Sequence, residues 1–512
     1  MSRASRGEAA LAGLAAGAMT LGVAEVLAGL WGRLGTAPST LSPLLAVADS
    51  FVDRTPPWLK DFAIATFGTA DKVALVVGIA LVLTAVCVGI GLLARRRLGA
   101  GMVVFALVGA VGIAAVLSRP GAAVTNALPT LVGVAVGLLV LHRLLRDRTT
   151  TAQVELPSDL TRRSVLVAGG VLAAAGLLGI LAGRVLSGAG EVVRAARAAF
   201  VVPRVAAPVT VPTAADQGVP GQTSYRTPNE SFYRIDTAVL VPQVDPASWR
   251  LRVHGLVARE VEIDLAELLE QPMVEALVTL TCVSNQVGGH LVGNAVWTGW
   301  PVRELLARAG PLPEADMVLS TSVDGWTAGT PLDVLTDERN SLLAVGMNGQ
   351  PLPPQHGFPV RMVVPGLYGY VSATKWVVDL KVTRFADDEG YWTPRGWAAR
   401  GPVKTASRID VPRGGQIDAG PTVVAGVAWA QHRGIRTVEV RVDDGAWQEA
   451  TLAAEPSVDS WRMWLLDWDA PPGTHRLTVR ATDGTGQTQT EELAPPAPDG
   501  ASGWHTVEVD VG

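Results

Sequence analysis

The hydrophobic positions of this 512-residue chain are distributed unevenly, and the unevenness divides the chain in two. Before about residue 190, five apolar runs approach the ~20 residues that a helix needs to cross a bilayer. The runs are residues 11–30, 73–93, 102–117, 122–141 and 165–186, and the third is the shortest. The pattern therefore predicts an N-terminal region of five transmembrane helices over residues 1–189.

Arginines flank these runs in a consistent way. They precede the first run, follow the second, and lie between the fourth and the fifth: Arg3, Arg6, Arg95, Arg96, Arg97, Arg143, Arg146, Arg148, Arg162 and Arg163. Segments rich in Lys and Arg remain cytoplasmic. We therefore predict a multi-pass protein of the cell membrane, with a cytoplasmic N-terminus and an extracytoplasmic C-terminal half.

Two polar features of the membrane half have alternative interpretations. The string from Thr161 to Leu166, TRRSVL, is similar to a twin-arginine export signal, although Val165 stands where Phe is common. Its arginines could equally be two more cytoplasmic charges. Glu25 is the one acid within the runs, and it has either a proton or quinone role or a structural one near the interface. Cys87 is predicted to be a small packing residue.

The pattern changes after the fifth run. A stretch rich in Pro and Ala, 190–221, is typical of a linker, and short β-like runs with a helix near 302–309 favour an α+β domain over 222–396. From about residue 397, residues 437–442, 475–481 and 505–511 alternate between apolar and polar positions. Regular short strands of this kind predict an immunoglobulin-like β-sandwich over 397–512.

The chemistry of the polar half centres on Cys282, its only cysteine. A lone thiol is inert packing, a nucleophile or a metal ligand. A hydrolase would need His254, His290 or His356 as its base. Residue types alone favour inert packing.

Composition and spacing exclude several other classes. The net charge of −5 is too small to indicate a nucleic-acid partner. No zinc-type spacing, Cys-x-x-Cys-His string or pair of histidines on the apolar runs is present, so we predict neither zinc nor haem.

Several strings around Cys282 resemble the molybdopterin domain of the sulfite oxidase family, and later strings resemble that family's C-terminal dimerisation domain. The strings are NESFYRID (229–236), TLTCVSNQVGG (279–289), AVWTG (295–299), MNGQPLP (347–353), HGFPVRMVVPGLYGYVSATKW (356–376), GVAWA (426–430) and RATDGTGQTQ (480–489). The resemblance covers about residues 220–512, in order, and leaves out the membrane half.

The resemblance implies a molybdenum–molybdopterin cofactor with Cys282 as the protein's ligand to the metal. A soft thiolate suits such a metal. The implied cofactor contacts are Asn229, Phe232, Tyr233, His356, Arg361, Ser372, Thr374 and Lys375. Arg234 takes the place of the family's active-site arginine, so that the implied catalytic residues are Cys282 and Arg234.

One departure from the family concerns the substrate. Sulfite oxidases carry an arginine soon after the ligand cysteine, and this chain has Gln286 there. The expected function is oxygen-atom transfer to or from a small sulfoxide-like or sulfite-like substrate, by a membrane-anchored homodimer that exchanges electrons with an external carrier or quinone. The alternative from a different class is a non-catalytic extracytoplasmic receptor or adhesion module on a membrane anchor.

Overall fold

A computed structural model describes residues 4–33, 41–56, 66, 71–119, 122–146, 158–186 and 189–512. The chain forms two compact units. The first comprises residues 1–194 with 237–243, and the second comprises residues 195–236 with 244–512. The two predicted outer domains, 222–396 and 397–512, fall within the second unit except for residues 237–243.

The first unit is helical. Its helices are α1 Arg6–Arg33, α2 Pro43–Arg54, α3 Asp71–Arg96, α4 Leu98–Leu117, α5 Leu128–Leu145 and α6 Ser158–Leu186. The next helix along the chain is α7 Ala189–Ala199. Helix α1 packs against α3, α5 and α6. It is therefore the central helix of this unit.

Four of the described helices are long and apolar enough to cross a membrane. They are Arg6–Trp31, Ala74–Arg96, Leu98–Leu117 and Val124–Leu145, and they coincide with the first four predicted runs. The described apolar part of α6, Val167–Ala182, is shorter than the ~20 residues of a span. The fifth span, and with it a five-helix count, therefore stays a prediction. Arg162 and Arg163 fall in α6, and their side chains lie outside the described part of the chain.

Small residues let these helices approach closely. A Cβ atom placed on Gly91 of α3 would lie 2.0 Å from the Ala9 carbonyl oxygen of α1, and one on Gly13 would lie 2.0 Å from the Cys87 carbonyl oxygen. Nothing lies within 4 Å of the corresponding position on Gly89. Backbone contact through glycine is the usual packing mode between helices in a bilayer. Cys87 lies in this contact, as its predicted packing role requires.

Glu25 is bonded inside the helical unit. The Ser42 hydroxyl donates to Glu25 Oε1 at 2.5 Å, and Ser42 Oγ also accepts from the Leu45 N–H and so caps α2. Both side chains are buried.

The α+β part of the second unit contains two sheets. Its strands are β1 Arg250–Gly255, β2 Val261–Asp264, β3 Val274–Thr281, β4 Val292–Pro301, β5 Met317–Ser322, β6 Thr327–Pro331, β7 Leu342–Met347, β8 Gln350–Pro351, β9 Arg361–Val363 and β10 Val377–Thr383. Its helices are α8 Leu265–Leu269, α9 Val302–Ala309 and α10 Leu332–Thr336, and α9 confirms the predicted helix 302–309. One sheet has the order β2-β1-β10-β5-β6, and the other has the order β3-β4-β7-β8 with β9 beside β7.

The C-terminal part is rich in β-structure. Its strands are β11 Ala406–Val411, β12 Gly415–Ile417, β13 Gly420–Trp429, β14 Ile435–Val442, β15 Gln448–Glu449, β16 Thr451–Leu452, β17 Arg462–Ala470, β18 Gly473–Asp483 and β19 His505–Val511. They form sheets of order β11-β13-β17-β16 and β12-β19-β18-β14-β15. Residues from both sheets, including Val424, Val438, Trp464 and Val479, share one apolar core. The alternating runs seen in the sequence are confirmed as strands of the second sheet.

Candidate functional site

Cys282 lies immediately beyond the end of β3, at the start of a tight turn. Its N–H donates to the Leu291 carbonyl at 2.9 Å, and its carbonyl accepts from the Asn285 N–H at 3.0 Å. The Asn285 side chain accepts from the Leu291 N–H at 2.8 Å and closes the base of the loop. A strand with six consecutive buried residues thus delivers the cysteine to a fixed loop.

The environment of the Cys282 thiol disfavours ionisation in the absence of a cation. Only 8% of the residue is exposed. Burial raises the pKa of the thiol, and hydrogen bonds from Ser284 oppose this shift only in part. A thiol of this kind is a poor free nucleophile but can ligate a metal, because coordination removes its proton.

The described residues do not offer Cys282 a protein metal cluster. No group of three or more His, Cys, Asp or Glu side chains gathers around a common point in that part of the chain. His254 instead contacts Asp379 at 3.1 Å, and His356 contacts the Asn229 carbonyl at 3.2 Å. A metal at Cys282 would therefore take most of its ligands from a non-protein group, as a dithiolene cofactor provides.

Aromatic rings cluster around Phe232, and one of them, Tyr233, lies near Cys282. Phe232 stacks on Tyr233 with ring centroids 5.3 Å apart, and it meets Trp297 and His356 edge to face at 5.7 and 5.6 Å. Burial raises the pKa of the Tyr233 hydroxyl well above its usual value, and the nearby Cys282 raises it further. Burial also raises the pKa of Tyr368 to about 12, with a smaller contribution from Cys282. Both hydroxyls remain neutral donors at physiological pH.

Asn229 and His356 form a buried polar pair. Asn229 Nδ2 donates to the Met347 carbonyl at 3.1 Å, and Asn229 Oδ1 accepts from Asn348 Nδ2 at 2.8 Å. Burial, helped by the positive charges of Arg361 and Lys375, lowers the pKa of His356 to about 3. His356 is therefore neutral. If its Nε2–H donates to the Asn229 carbonyl, Nδ1 remains an acceptor.

Arg361 is a buried cation without a carboxylate partner among the described residues. The residue is 5% exposed, its guanidinium lies 5.0 Å from the centre of the Trp297 ring, and it donates to the carbonyls of His356 and Met362 at 3.2 Å. Burial lowers its pKa to about 10, so it stays charged at neutral pH. A buried cation without a counter-charge is costly. This arrangement fits an anionic group such as the phosphate of a pterin cofactor.

Lys375 and Arg234 share one carboxylate, that of Asp236. Lys375 Nζ lies 2.6 Å from Asp236 Oδ2, and Arg234 Nε lies 2.8 Å from the same oxygen. Burial lowers the pKa of Lys375 to about 8, although Asp236 opposes the shift. The Arg234 side chain is 37% exposed, whereas Asp236 is 5% exposed. Two of the three predicted cationic residues therefore come together through a carboxylate whose role the sequence did not indicate.

The hydroxyls of Ser372 and Thr374 are bonded inside the protein. Ser372 Oγ donates to the Tyr368 carbonyl at 2.9 Å, and Thr374 Oγ1 pairs with Ser320 Oγ at 2.6 Å. Both residues are fully buried. Any contact that these positions make with a cofactor is therefore expected to come from their backbone groups.

Three residues of this region were not singled out by the sequence. Trp297 packs on Phe232 and Arg361. Its position within the string 295–299 was the sequence feature that could have identified it as a site residue. Arg408 donates to the Gly289 carbonyl at 2.8 Å, in the loop after Cys282. Gln431 bonds to β3 and directly follows the string 426–430.

Comparisons with known proteins match the region that contains Cys282. Residues 238–392 match the oxidoreductase molybdopterin binding domain. The chain is 31% identical over 322 residues to human mitochondrial sulfite oxidase, covering 53% of this chain and 58% of that protein. It is 36% identical over 171 residues to the uncharacterized oxidoreductase YuiH of Bacillus subtilis, covering 33% of this chain and 83% of that protein.

The relatives differ in how much of their length is matched. The chain spans only 58% of the human sulfite oxidase but most of YuiH. Among solved structures, the sulfane dehydrogenase SoxCD of Paracoccus pantotrophus matches with a TM-score of 0.48 and 23% identity, covering 60% of this chain and 87% of that one. With the domain match and the extensive cover of YuiH, the chain belongs to the sulfite oxidase family of molybdopterin-dependent oxidoreductases.

Proposed function

We propose that this chain is a membrane-anchored molybdenum-cofactor enzyme that moves an oxygen atom to or from a small substrate on the extracytoplasmic side. The observation that carries the proposal is the buried, solitary Cys282, next to Tyr233 and the carboxylate-free Arg361. When bound, the cofactor supplies a metal that can accept or give up an oxygen atom with two electrons. The roles that follow belong to residues of this chain.

The proposed role of each residue follows from its charge. Cys282 would lose its thiol proton on ligation and hold the metal as a thiolate. Arg361 and Lys375 would hold the phosphate and other anionic groups of the cofactor. Neutral His356 and Asn229 would offer hydrogen bonds to the pterin, and Phe232 would exclude water beside it. Tyr233 would present a neutral hydroxyl near the reacting atoms.

The site favours a neutral substrate. Gln286 is exposed in the Cys282 loop, in the place where the family's sulfite oxidases carry an arginine. Arg234, the other candidate cation for an anionic substrate, is paired with Asp236. We therefore propose a sulfoxide or a similar oxo compound as the substrate, in preference to sulfite.

Analysis of metal and pterin in the purified full-length protein tests the proposal. We expect about one molybdenum and one pterin per chain, with a Cys87→Ala variant unchanged because Cys87 packs in the helical unit. Reduction by artificial donors and reoxidation by sulfoxides should follow the molybdenum content. A protein without molybdenum that is still active, or one that never acquires it, would overturn the proposal.

The membrane setting is also proposed. The four apolar helices and the flanking arginines support a bundle that anchors the catalytic part outside, with Arg162 and Arg163 directing export of the folded protein. Replacing both arginines with Lys should retain the C-terminus inside, as protease treatment of spheroplasts would show. Unchanged exposure would contradict twin-arginine export.

Assembly is the last element of the proposal. The two sheets around one core support an immunoglobulin-like sandwich over 397–512, which we propose as the contact of a homodimer. Sedimentation velocity at micromolar concentration should give a dimer in detergent. Electrons are proposed to pass to an external carrier or to quinone.

A further inference from the structure

Strand β3, which delivers Cys282, lies at the edge of its sheet. The outward-facing backbone groups of such a strand need partners from elsewhere. Here the C-terminal β-rich part supplies them. The Thr279 N–H donates to the Asp459 carbonyl at 2.9 Å, and Ser457 Oγ donates to the Leu277 carbonyl at 3.1 Å.

Gln431 completes this edge next to the cysteine. Its Nε2 donates to the Thr279 carbonyl at 2.9 Å and to Thr281 Oγ1 at 3.1 Å, and Thr281 directly precedes Cys282. The residue is 0% exposed. Two hydrogen bonds from one buried amide therefore tie the last residues of β3 to the C-terminal part.

The acceptors of this amide's Nε2 group are buried, and Thr279 has further hydrogen-bond partners, although the amide oxygen, Gln431 Oε1, has none among the described residues. Thr279 Oγ1 donates to Asn294 Oδ1 at 2.9 Å and accepts from the Trp461 N–H at 2.7 Å. Thr279 and Thr281 are each 2% exposed. Water cannot readily replace the Gln431 donors here, and a buried polar group that loses its partner is destabilised.

The far end of the Cys282 loop is held from the same direction. Arg408, in β11, donates from Nη1 to the Gly289 carbonyl at 2.8 Å, and its Nε pairs with Asp410 at 2.7 Å. Arg408 and Asp410 are both buried. The segment that contains Cys282 is thus fixed before the cysteine by Gln431 and after it by Arg408.

We propose that Gln431 is a positioning residue for Cys282, acting through Thr279 and Thr281 to set where the thiolate meets the metal. This inference rests on the proposed function, because it requires Cys282 to be the ligand. The hydrogen bonds of Gln431 go to Thr279 and Thr281, so that it acts on Cys282 through the strand. A displaced thiolate changes the metal's electronic environment as well as the rate.

The test compares two full-length holoenzymes, Gln431→Leu and Gln489→Leu. Gln489 is a matched control, since it is also a buried glutamine of the C-terminal part and bonds there to Ser407 and Gly503 at 2.7 Å. Molybdenum content, the Mo(V) electron paramagnetic resonance spectrum, and kcat and KM would be measured for each. We expect Gln431→Leu to retain molybdenum, to shift the spectrum, and to lower kcat by about 10- to 100-fold with KM little changed.

The control should lose thermal stability and keep the wild-type spectrum and kcat per molybdenum. If Gln431→Leu does not fold, Thr281→Val removes one of the two acceptors at nearly constant volume and should give a smaller shift of the same spectrum. A wild-type spectrum and kcat in Gln431→Leu or, failing that, in Thr281→Val would overturn the inference, as would an equal shift in Gln489→Leu. A wild-type protein without molybdenum would instead refute the proposed function.

Discussion

The first unit, called the helical unit, and the whole second unit, called the β-rich unit, bury their interiors in opposite ways. In the helical unit, glycine and alanine bring backbones into contact, as Gly91 does with Ala9. In the β-rich unit, large tryptophans fill the core and hydrogen-bond to carbonyls, as Trp249 does to Val377 at 2.8 Å and Trp461 does to Tyr225 at 2.8 Å. All four residues of these two tryptophan contacts lie in the second unit.

The difference follows from where each unit satisfies its backbone. A helix bonds its own N–H and C=O groups, so contact between helices is decided by shape. Strand edges and irregular loops leave groups that side chains must satisfy. Substitutions in the helical unit should therefore act through volume and affect assembly, whereas those in the β-rich unit should act through hydrogen bonds and charge and affect chemistry.

The largest expected effect is on chemistry. Cys282→Ser keeps nearly the same volume but removes the soft sulfur donor. We expect kcat/KM to fall on the order of 10³-fold or more, and the Mo(V) spectrum to change, while Arg361 and Lys375 still retain some cofactor. Steady-state kinetics normalised to molybdenum would measure the fall.

Cys87→Ser is the matched control, since Cys87 belongs to the helical unit. It should leave turnover per molybdenum unchanged. Full activity and an unchanged spectrum in Cys282→Ser would remove Cys282 from the site.

A volume change in the helical unit should act on assembly alone. Gly91→Val forces side-chain atoms against the Ala9 carbonyl, and overpacking of this kind costs about 1–3 kcal/mol. We expect less protein to be extracted from membranes in folded form, with normal turnover per molybdenum in what remains.

Gly89→Val, two residues away in α3, adds the same atoms where nothing lies within 4 Å. It should be tolerated. Equal yields from the two variants would show that close approach of α1 and α3 does not hold this unit together.

A charge change at the loop should alter substrate choice. Gln286→Arg should strengthen sulfite binding by about tenfold, the lower end of the ~1.5–3 kcal/mol of a charge-assisted hydrogen bond, because Gln286 is exposed. KM values for sulfite and for a neutral sulfoxide would be compared at low and high salt.

The neutral sulfoxide serves as the internal control, since its KM should be nearly unaffected. Rapid sulfite turnover by the wild-type protein, with a KM in the low-micromolar range, would argue against a neutral substrate.

The smallest expected effect concerns pH. His356 has a pKa of about 3 in the folded protein, whereas an unfolded histidine titrates near ~6.5. Below about pH 6.5 the unfolded chain therefore binds a proton that the folded chain does not, so that stability falls as the pH falls towards 3. His356→Gln should make this fall shallower in urea unfolding midpoints measured from pH 4 to pH 7.

The His356→Gln substitution should remove only part of the pH dependence of stability. Burial also lowers the pKa of His505, to about 4, so that His505 contributes to the loss of stability over the same pH range. An identical pH dependence in wild type and His356→Gln would indicate that His356 is not buried as a neutral group. The pH profile of kcat should show no transition near pH 6.5 that is due to His356.

The sequence alone pointed to those parts of the candidate site that lie in continuous strings. Cys282 and Arg361 are such residues, because their neighbours in the chain also form the local turn or strand. Four of the five predicted apolar runs likewise coincide with helices long enough to span a membrane, although α1 extends from Arg6 to Arg33 while its apolar run covers 11–30. Hydropathy detects the apolar part of a helix and not its polar ends.

The rest depended on contacts between distant positions. Gln431 meets Thr281 across 150 residues of chain, and no periodicity marks such a pair. The carboxylate of Asp236, which also binds Arg234, meets Lys375 across 139 residues of chain. The internal bonding of Ser372 and Thr374 depends on Tyr368 and Ser320, so a family string could place these residues but not their hydroxyls.

The completion of the β3 edge by later residues also imposes an order of events during synthesis. Gln431, Ser457 and Asp459 leave the ribosome about 150 residues or more after Cys282, at a typical rate of ~5–20 residues per second. Until they emerge, the strand that carries the cysteine lacks its outer partners. The loop that carries Cys282 therefore reaches its final form only after the C-terminal β-rich part has been synthesised, so that insertion of the proposed cofactor would follow the synthesis of that part.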